Sequence, residues 1–396
     1  MKVAESTLGP LSHGKLLDII RSGGPISRVE IAEIAGLTQA SVSTIVRSLL
    51  NEGLVHEVGR VESTGGKRRT QLEIVPNARY AIGVHLGLES IVYVITNMAG
   101  GMIGRQRRAG AGSAAPGEVI ERIGDEIDEL VGALGVDRAF IVGVGIVAAG
   151  PINYSAGVII GSPAQRHWNA FPLREELAKR TGLPVVLDKD ATAAAIGEFW
   201  GGRADVPSSF ACLYMGTGIG AGIVIDGSAF RGSASNAGEV GHVSLDVRGA
   251  RCSCGNRGCL EVLAAPLAVV TRARGVDEDI PPMQPNEVSR AFDGIARQAV
   301  SRNEQSLALI RESAEYMAEG VLTLVNIIDL DLIVLGGPGF AIAGAIYIEA
   351  IRSVLAERFF ARDSHGVEVR FSTNPRDAAA LGASALVLQQ LLAPRG

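Results

Sequence analysis

The side chains with the clearest chemistry are one imidazole and three thiols that lie close together in the chain: His242, Cys252, Cys254 and Cys259. Three thiolates and one imidazole complete a closed tetrahedral shell for a structural zinc ion, which leaves no position for a reacting water. Gly255 and Gly258 allow so short a loop to bring its sulfur atoms onto one ion. The pattern therefore predicts a zinc site, which would hold the flanking acids Glu239 and Glu261 in one rigid wall.

Disulfide-bonded or simply buried cysteines are the alternative interpretation. Cys252 and Cys254 are too close in sequence to pair easily, and the one further cysteine, Cys212, lies elsewhere. Ligand type and spacing therefore favour zinc, in a structural role without catalysis.

Composition and charge narrow the class of protein. The 396 residues suffice for two or three domains, and 47% hydrophobic with 20% charged residues is typical of a soluble globular protein. We find no secretory signal or membrane span, and thiols committed to metal suit a reducing cytoplasm, so we expect a cytoplasmic protein without membrane contact. Residues 1–75 carry nine Lys/Arg and eight Asp/Glu, a net charge of +1, whereas the remainder carries 28 and 34, a net charge of −6.

The first 75 residues predict three short helices and a β-hairpin. A helical apolar period covers 11–22, and Ser27 with Glu30 forms a capping box that opens the second helix. Gly36 ends that helix, and Thr38 caps a third helix that runs to about residue 51. A tight turn between two helices followed by small polar residues suits the DNA major groove. The residues expected at this DNA-reading surface are Thr38, Gln39, Ala40, Ser41, Ser43, Thr44 and Arg47.

Segments 54–58 and 71–75 bracket a hairpin whose tip, 64–69, is glycine-rich and basic. Its three adjacent cations, expected to reach phosphates or the minor groove as a wing, are Lys67, Arg68 and Arg69. A three-helix protein-interaction module with a solvated basic loop is the alternative. We predict a winged helix-turn-helix domain over 1–75, joined by a short linker, 76–79, to a body over 80–396.

The body contains two similar predicted hairpins about 130 positions apart. Strands at 80–86 and 91–96 turn at Gly87, and strands at 210–215 and 221–225 turn at the glycine run 216–220. The repeat predicts a duplicated α/β unit, with two lobes facing each other across a cleft. We place the first lobe at about 80–190 plus a C-terminal helix at about 378–396, and the second at about 191–377.

The glycine run 216–222 contains a near match to a dinucleotide-binding pattern, but a glycine pattern alone is weak. Because it joins two strand-like segments instead of a strand and a helix, a phosphate-cradling hairpin fits better than an NAD site. The strand and glycine turn at 332–339 would lie near an adenine or cross the floor of the cleft.

Three motifs together resemble the ROK family, which groups bacterial sugar-responsive repressors with sugar kinases. They are Gly-Glu-Val-Gly-His at 238–242, the cysteine loop with Leu-Glu at 252–261, and the segment 190–198 that begins with Asp190. The resemblance covers nearly the whole chain. It implies an actin/hexokinase-like α/β body and a winged helix-turn-helix.

By that resemblance, four side chains would bind sugar hydroxyls: Asp190, Glu239, His242 and Glu261. Carboxylates form strong charge-assisted bonds with hydroxyl groups, and zinc on one nitrogen of His242 leaves the other N–H free to donate. In a kinase, Asp190 would be the general base. Ordinary salt bridging is the alternative role for these acids.

Two departures from the family pattern bear on activity. Kinases of the family carry an Asp-x-Gly-Gly-Thr type loop that holds the ATP phosphates. In the matching stretch 85–90, His85 replaces the acid, Leu88 replaces the second glycine and Glu89 replaces the threonine. A branched side chain and an anion oppose phosphate binding there. Where the family has an Asn-Asp pair, this chain has Lys189-Asp190. The lysine would favour an anionic or phosphorylated sugar. Alternatively, it only neutralises Asp188 and Asp190.

The sequence therefore predicts a DNA-binding repressor without catalytic residues of its own, controlled by a sugar or sugar phosphate and assembled as a homodimer or homotetramer on double-stranded operator DNA. An active ATP-dependent sugar kinase with an appended DNA-binding domain is the second hypothesis. A regulator controlled by a protein partner or by DNA alone, with an empty sugar cleft, is the third.

Overall fold

Three helices and a small antiparallel sheet form the N-terminal region. The computed structural model describes residues 10–61, 69–160, 163–201, 206–275 and 283–391. The first elements are α1 (Pro10–Gly23), β1 (Ile26–Ser27), α2 (Arg28–Ala35), α3 (Gln39–Asn51), β2 (Val55–Val61) and β3 (Arg69–Ile74). The sheet order is β1-β3-β2, so the predicted hairpin is confirmed and gains a short third strand.

Local capping explains where these helices begin and end. Ser27 and Glu30 form the predicted capping box, and Gly36 ends α2 with φ of 67°. Thr38 Oγ1 accepts from the Ser41 amide at 3.2 Å and so caps α3. Arg69 was predicted at the hairpin tip but lies on β3, where it pairs with Val61.

The first part of the body contains one mixed sheet. Its elements are β4 (Tyr80–Leu86), β5 (Ser90–Asn97), β6 (Met102–Ala109), α4 (Pro116–Leu134), β7 (Ile141–Ala148), β8 (Ile152–Asn153), β9 (Val158–Ile159), α5 (Leu173–Thr181), β10 (Val185–Lys189) and α6 (Asp190–Trp200). The order is β10-β7-β4-β5-β6. The β4–β7 and β7–β10 pairs are parallel, and the β4–β5 and β5–β6 pairs are antiparallel.

The second part repeats this arrangement. Its elements are β11 (Phe210–Met215), β12 (Ile219–Ile225), β13 (Ser228–Ala229), α7 (Leu260–Ala264), α8 (Pro266–Arg274), α9 (Pro285–Val300), α10 (Glu304–Ile328), β14 (Leu332–Gly336), α11 (Gly344–Arg358), β15 (Glu368–Phe371) and α12 (Ala378–Leu391). The order β13-β12-β11-β14-β15 has the same parallel and antiparallel pairs as the first sheet. The predicted duplication is therefore confirmed.

Helices α6 and α12 cross in close contact between the two sheets. A Cβ at Gly382 of α12 would lie 1.7 Å from the Ala193 carbonyl oxygen of α6. A Cβ at Gly145 of β7 would lie 2.0 Å from the Ala383 carbonyl oxygen of α12. Small residues thus allow the backbones to come into contact. Helix α12 packs against α6 on one side and against the first sheet on the other.

Among the described residues, Met98 and Trp200 of the body contact the N-terminal domain. Met98, in the turn after β5, is buried in the apolar core of the N-terminal domain, and its amide donates to the Pro76 carbonyl at 2.9 Å. Arg21 of α1 lies over the Trp200 ring at 4.1 Å and donates to the Trp200 carbonyl at 3.0 Å. Since Trp200 is the last residue of α6, this helix reaches the DNA-binding domain directly.

Among the residues that the structure describes, no helix is long and apolar enough to span a membrane.

Gly382→Ala should destabilise the protein by at least about 2 kcal/mol, because its methyl group has no room against α6. Gly132→Ala, in the exposed part of α4, meets nothing within 4 Å and should stabilise by about 0.5–1 kcal/mol. Urea unfolding of both variants tests the crossing. Equal stability of the two would contradict it.

Candidate functional site

The four predicted metal-binding side chains converge. Their ligand atoms all lie within 4.8 Å of one another, in the cluster His242, Cys252, Cys254 and Cys259. His242 Nδ1 is 3.5 Å from Cys252 Sγ, and Cys254 Sγ is 3.7 Å from Cys259 Sγ. Sulfur atoms on a tetrahedral ion with bonds of about 2.3 Å are about 3.7 Å apart. The donor set therefore fits a metal ion of that size.

The loop that carries these ligands also fixes the flanking acids. Glu261 belongs to α7, which starts directly after Cys259, and Glu239 precedes the short 3₁₀ turn that ends at His242. Gly258 has φ of 56°, and a Cβ there would lie 1.8 Å from the Asp246 carbonyl oxygen. Glycine is thus required where the chain turns back toward His242.

Asp190 is placed by the junction of β10 and α6. As the first residue of α6, it accepts a 2.7 Å bond from the Ala191 amide at Oδ1. Burial raises the pKa of Asp190 to about 6; the Ala191 amide and Lys189 lower it, and Glu239 raises it further. The neighbouring imidazole of His85 lies 3.9 Å from Asp190 Oδ2. Burial lowers the pKa of His85 to about 4, so this imidazole is neutral at pH 7.

Lys189 pairs with Glu239 and leaves Asp188 to another partner. Lys189 Nζ donates to Glu239 Oε1 at 2.8 Å and to the Ala237 carbonyl at 2.6 Å. Arg231 forms two bonds to Asp188 Oδ2, at 2.7 and 3.1 Å. Of the two acids that Lys189 could neutralise, Asp188 is bonded instead by Arg231, which the sequence did not single out, whereas Lys189 does lower the pKa of Asp190.

The second glycine turn contacts Glu261. The Ile219 amide donates to Glu261 Oε2 at 3.1 Å, and a Cβ at Gly218 would lie 2.2 Å from the same oxygen. Burial raises the pKa of Glu261; the Ile219 bond and His242 lower it, and Glu239 raises it. The turn joins two antiparallel strands, as predicted, which rules out the strand-to-helix geometry of a dinucleotide site. Its Ile219 amide is committed to a carboxylate.

The turn at 85–90 differs from a phosphate-binding loop in contacts as well as in sequence. Glu89 Oε1 accepts a 2.7 Å bond from Ser289 of α9, so this turn reaches across to the second part of the body. Burial raises the pKa of Glu89. A neutral imidazole at position 85 is a poor ligand for Mg²⁺, which prefers oxygen. The Ser289 contact was not foreseen from sequence.

The candidate DNA-reading surface lies at the start of α3. Thr38, Gln39, Ala40, Thr44 and Arg47 are exposed, whereas Ser41 and Ser43 are partly buried. The Thr38 and Ser41 hydroxyls bond each other at 2.9 Å, and Thr44 donates to the Ala40 carbonyl. Within the described ranges, the Gln39 and Arg47 side chains have no hydrogen-bond partner. Arg69 is exposed, and Lys67 and Arg68 lie outside the described residues.

Two family models match separate segments of the chain. Residues 81–390 match the model of the ROK family, and residues 12–56 match that of a winged helix-turn-helix DNA-binding domain. A xylose repressor from Caldicellulosiruptor bescii is 30% identical over 93% of this chain and 92% of its own length. A glucokinase from Halalkalibacterium halodurans is 29% identical over 79% of this chain and 96% of its own.

A solved structure has both domains. The crystal structure of a ROK family transcriptional regulator, a homolog of the Escherichia coli MLC protein, superposes with a TM-score of 0.78 and 25% sequence identity. The superposition covers 97% of each chain. The fold therefore includes the N-terminal domain and the body together.

The Lys189–Glu239 pair gives a stability prediction. Glu239→Ala should cost about 1–3 kcal/mol, because it leaves the Lys189 ammonium, whose side chain is 5% exposed, without its carboxylate. Lys189→Met in the same background should recover part of that loss. Coupling measured in a double-mutant cycle by urea unfolding checks this.

The Lys179–Glu176 pair on α5 is the matched control. It has the same residue types at 2.9 Å, but the Lys179 side chain is 61% exposed. Coupling there should be much weaker than in the Lys189–Glu239 pair, because water screens exposed charges. Coupling free energies of equal size in the two pairs would contradict the view that the Lys189 ammonium is shielded from water.

Proposed function

This chain belongs to the ROK family, and we propose that it is a sugar-responsive transcriptional repressor that acts on double-stranded DNA in the cytoplasm. One combination of features carries the proposal. An exposed helix suited to DNA reading is joined to a body that has the candidate sugar-binding acids. The turn at 85–90 of that body lacks the residues with which the family's kinases hold ATP. We divide the chain into a DNA-binding domain over 1–75, a linker over 76–79 and a sensor over 80–396.

The proposed effector site lies at the start of α6. Its residues are Asp190, Glu239, His242 and Glu261. Glu239 raises the pKa of both Asp190 and Glu261, which supports grouping each of these carboxylates with Glu239 in one site. Lys189 is already paired with Glu239, so its ammonium group is not available to bind a phosphate. The carboxylates of the site can accept hydrogen bonds from sugar hydroxyl groups. This favours a neutral sugar over a phosphorylated one, and the name of the Caldicellulosiruptor bescii relative suggests xylose as the first to test.

We propose zinc as the metal of the cysteine cluster. Three thiolates and one imidazole are the donors of closed structural zinc sites. With zinc on Nδ1, the Nε2–H of His242 can donate to a sugar oxygen. The ion would hold His242 and Glu261 at fixed positions and would supply no reacting water.

We further propose that the protein does not phosphorylate sugar. An active kinase with a DNA-binding domain is the second candidate, supported by the 29% identity to a glucokinase and by Asp190 at the position of a general base. His85 and Glu89 oppose it, since one is a neutral ring and the other an acid bonded to Ser289. Asp190 then serves as a hydrogen-bond acceptor for the effector.

Sugar and DNA would communicate through α6. Its first residue, Asp190, belongs to the proposed sugar site, and its last residue, Trp200, carries Arg21 of the DNA-binding domain. Half-sites on DNA repeat at about 34–36 Å, so a symmetric homodimer or homotetramer must hold two α3 helices at a matching separation. A shift of α6 would move the DNA-binding domain that contacts this helix. It would therefore change the separation of the two α3 helices.

The effector proposal is tested with DNA duplexes that the protein selects from a random-sequence pool. Fluorescence anisotropy should show weaker DNA binding with xylose or another neutral sugar of a panel. Asp190→Asn should bind the duplex normally and lose the response. ATP turnover that depends on the sugar and disappears in Asp190→Asn would instead establish the kinase. No response to any sugar would support control by a partner or by DNA alone.

Cys254→Ser should release the metal, because three ligands hold zinc far less tightly than four. Cys212→Ala, at a buried thiol outside the cluster, is the matched control and should keep one metal per chain. Elemental analysis after gel filtration measures the content. A metal-free Cys254→Ser that still responds to sugar would contradict the role given to the ion.

Gln39→Ala should weaken binding to the selected duplex by about 1–3 kcal/mol and relax the preference at one base position. Gln305→Ala, at an exposed glutamine in the first turn of α10, should leave both unchanged. Competition with duplexes substituted at each position reads this out. A uniform loss on selected and scrambled DNA would assign Gln39 to the phosphate backbone.

A further inference from the structure

The end of β4 places the His85 side chain beside Asp190. Successive side chains of a strand point to opposite faces of its sheet, so His85 shares a face with Gly83. A Cβ at Gly83 would lie 1.9 Å from the Ala380 carbonyl oxygen, so this face packs against α12. Two residues further along, His85 Nε2 lies 3.9 Å from Asp190 Oδ2 at the start of α6. The strand therefore brings an imidazole to the carboxylate that is proposed to bind sugar.

The separation of 3.9 Å between His85 Nε2 and Asp190 Oδ2 is too long for a direct hydrogen bond. Among the described residues neither atom has a hydrogen-bond partner, and neither is fully buried. The two side chains are 18% and 15% exposed. The ring of Tyr214 meets that of His85 edge to face, with centroids 6.2 Å apart, and supports the imidazole in this position. Both polar atoms are thus accessible and face each other across a gap.

The His85 ring is an uncharged hydrogen-bond donor at pH 7. Burial lowers its pKa to about 4; Arg107 lowers it further and Asp377 raises it. A neutral imidazole carries its hydrogen on one nitrogen, and the neighbouring carboxylate favours the nitrogen that faces it. A hydroxyl group can accept one hydrogen bond and donate another. One hydroxyl can therefore accept from His85 Nε2–H and donate to Asp190 Oδ2.

We propose that His85 is a specificity-determining residue of the effector site, which holds one free hydroxyl group of the sugar together with Asp190. The inference rests on the proposed function of this site. An oxygen about 2.8 Å from each of the two atoms fits between them at their separation of 3.9 Å. An ether oxygen at the same position would accept from His85 but would have no hydrogen for Asp190. A phosphate there would bring its negative charge to the carboxylate.

The test measures, by calorimetry on the full-length protein, the affinity for D-xylose and for each of its monodeoxy analogues. D-glucose and its monodeoxy analogues replace them if glucose binds more tightly. His85→Phe keeps an aromatic ring against Tyr214 and removes the N–H, so it should weaken sugar binding about tenfold. One deoxy analogue should bind the wild type and His85→Phe equally within about twofold, because the hydroxyl that His85 holds is already absent. His85→Gln, whose amide N–H can donate, should recover most of the affinity.

His56→Phe is the matched control. His56 Nε2 also lies 3.9 Å from a carboxylate oxygen, that of Glu73, but its side chain is 48% exposed and belongs to the DNA-binding domain. This variant should bind every sugar as the wild type does.

Unchanged sugar affinity in His85→Phe would overturn the inference and leave the proposed function standing. A loss by the same factor for every analogue would do so as well, because it would assign His85 a purely structural role. No binding of either sugar by the wild type would contradict a neutral sugar effector, and the inference with it.

Discussion

Helices α6 and α12 pack against each other at backbone distance between the two sheets of the body. Gly382 allows the backbone of α12 to touch that of α6, and Gly145 allows the first sheet to touch α12. A Cβ at Gly222 of β12 would likewise lie 2.1 Å from the Ala191 carbonyl oxygen of α6. Contacts at backbone distance leave α6 little freedom to slide alone. Asp190 and Trp200 are thus the two ends of one helix that is held at backbone distance by its neighbours.

Electrostatics at the start of α6 supports the proposal that the body recognises a sugar without phosphorylating it. Burial raises the pKa of both Asp190 and Glu261, and Glu239 raises each further, whereas Lys189, which pairs with Glu239, lowers that of Asp190. The hydroxyl groups of a bound sugar would donate hydrogen bonds to these acids in place of the water that burial removes. Such charge-assisted hydrogen bonds would contribute to the free energy of sugar binding. The facing turn holds Glu89 against Ser289, so the nucleotide end of the cleft carries an acid.

Features encoded by short sequence patterns were predictable. The metal cluster depends on four residues within one loop, the capping of α2 and α3 on residues three apart, and the two hairpins on strand–turn–strand periodicity. The long-range contacts were not, since they depend on approaches across the fold. Lys189 forms an ion pair with Glu239, 50 positions away, and Arg21 contacts the ring and carbonyl of Trp200, 179 positions away. Arg231 was missed for the same reason, because nothing near it in sequence marks its partner Asp188.

In the proposed mechanism, sugar and DNA favour different arrangements of α6 and the DNA-binding domain. Thermodynamic linkage requires each ligand to change the affinity of the other by the same factor, typically about 1–3 kcal/mol of coupling. The direct measurement is the affinity of the effector sugar by calorimetry, with and without saturating selected DNA. The account predicts that DNA weakens sugar binding by the factor by which sugar weakens DNA binding. A sugar affinity that DNA leaves unchanged would contradict it, even if the protein binds both.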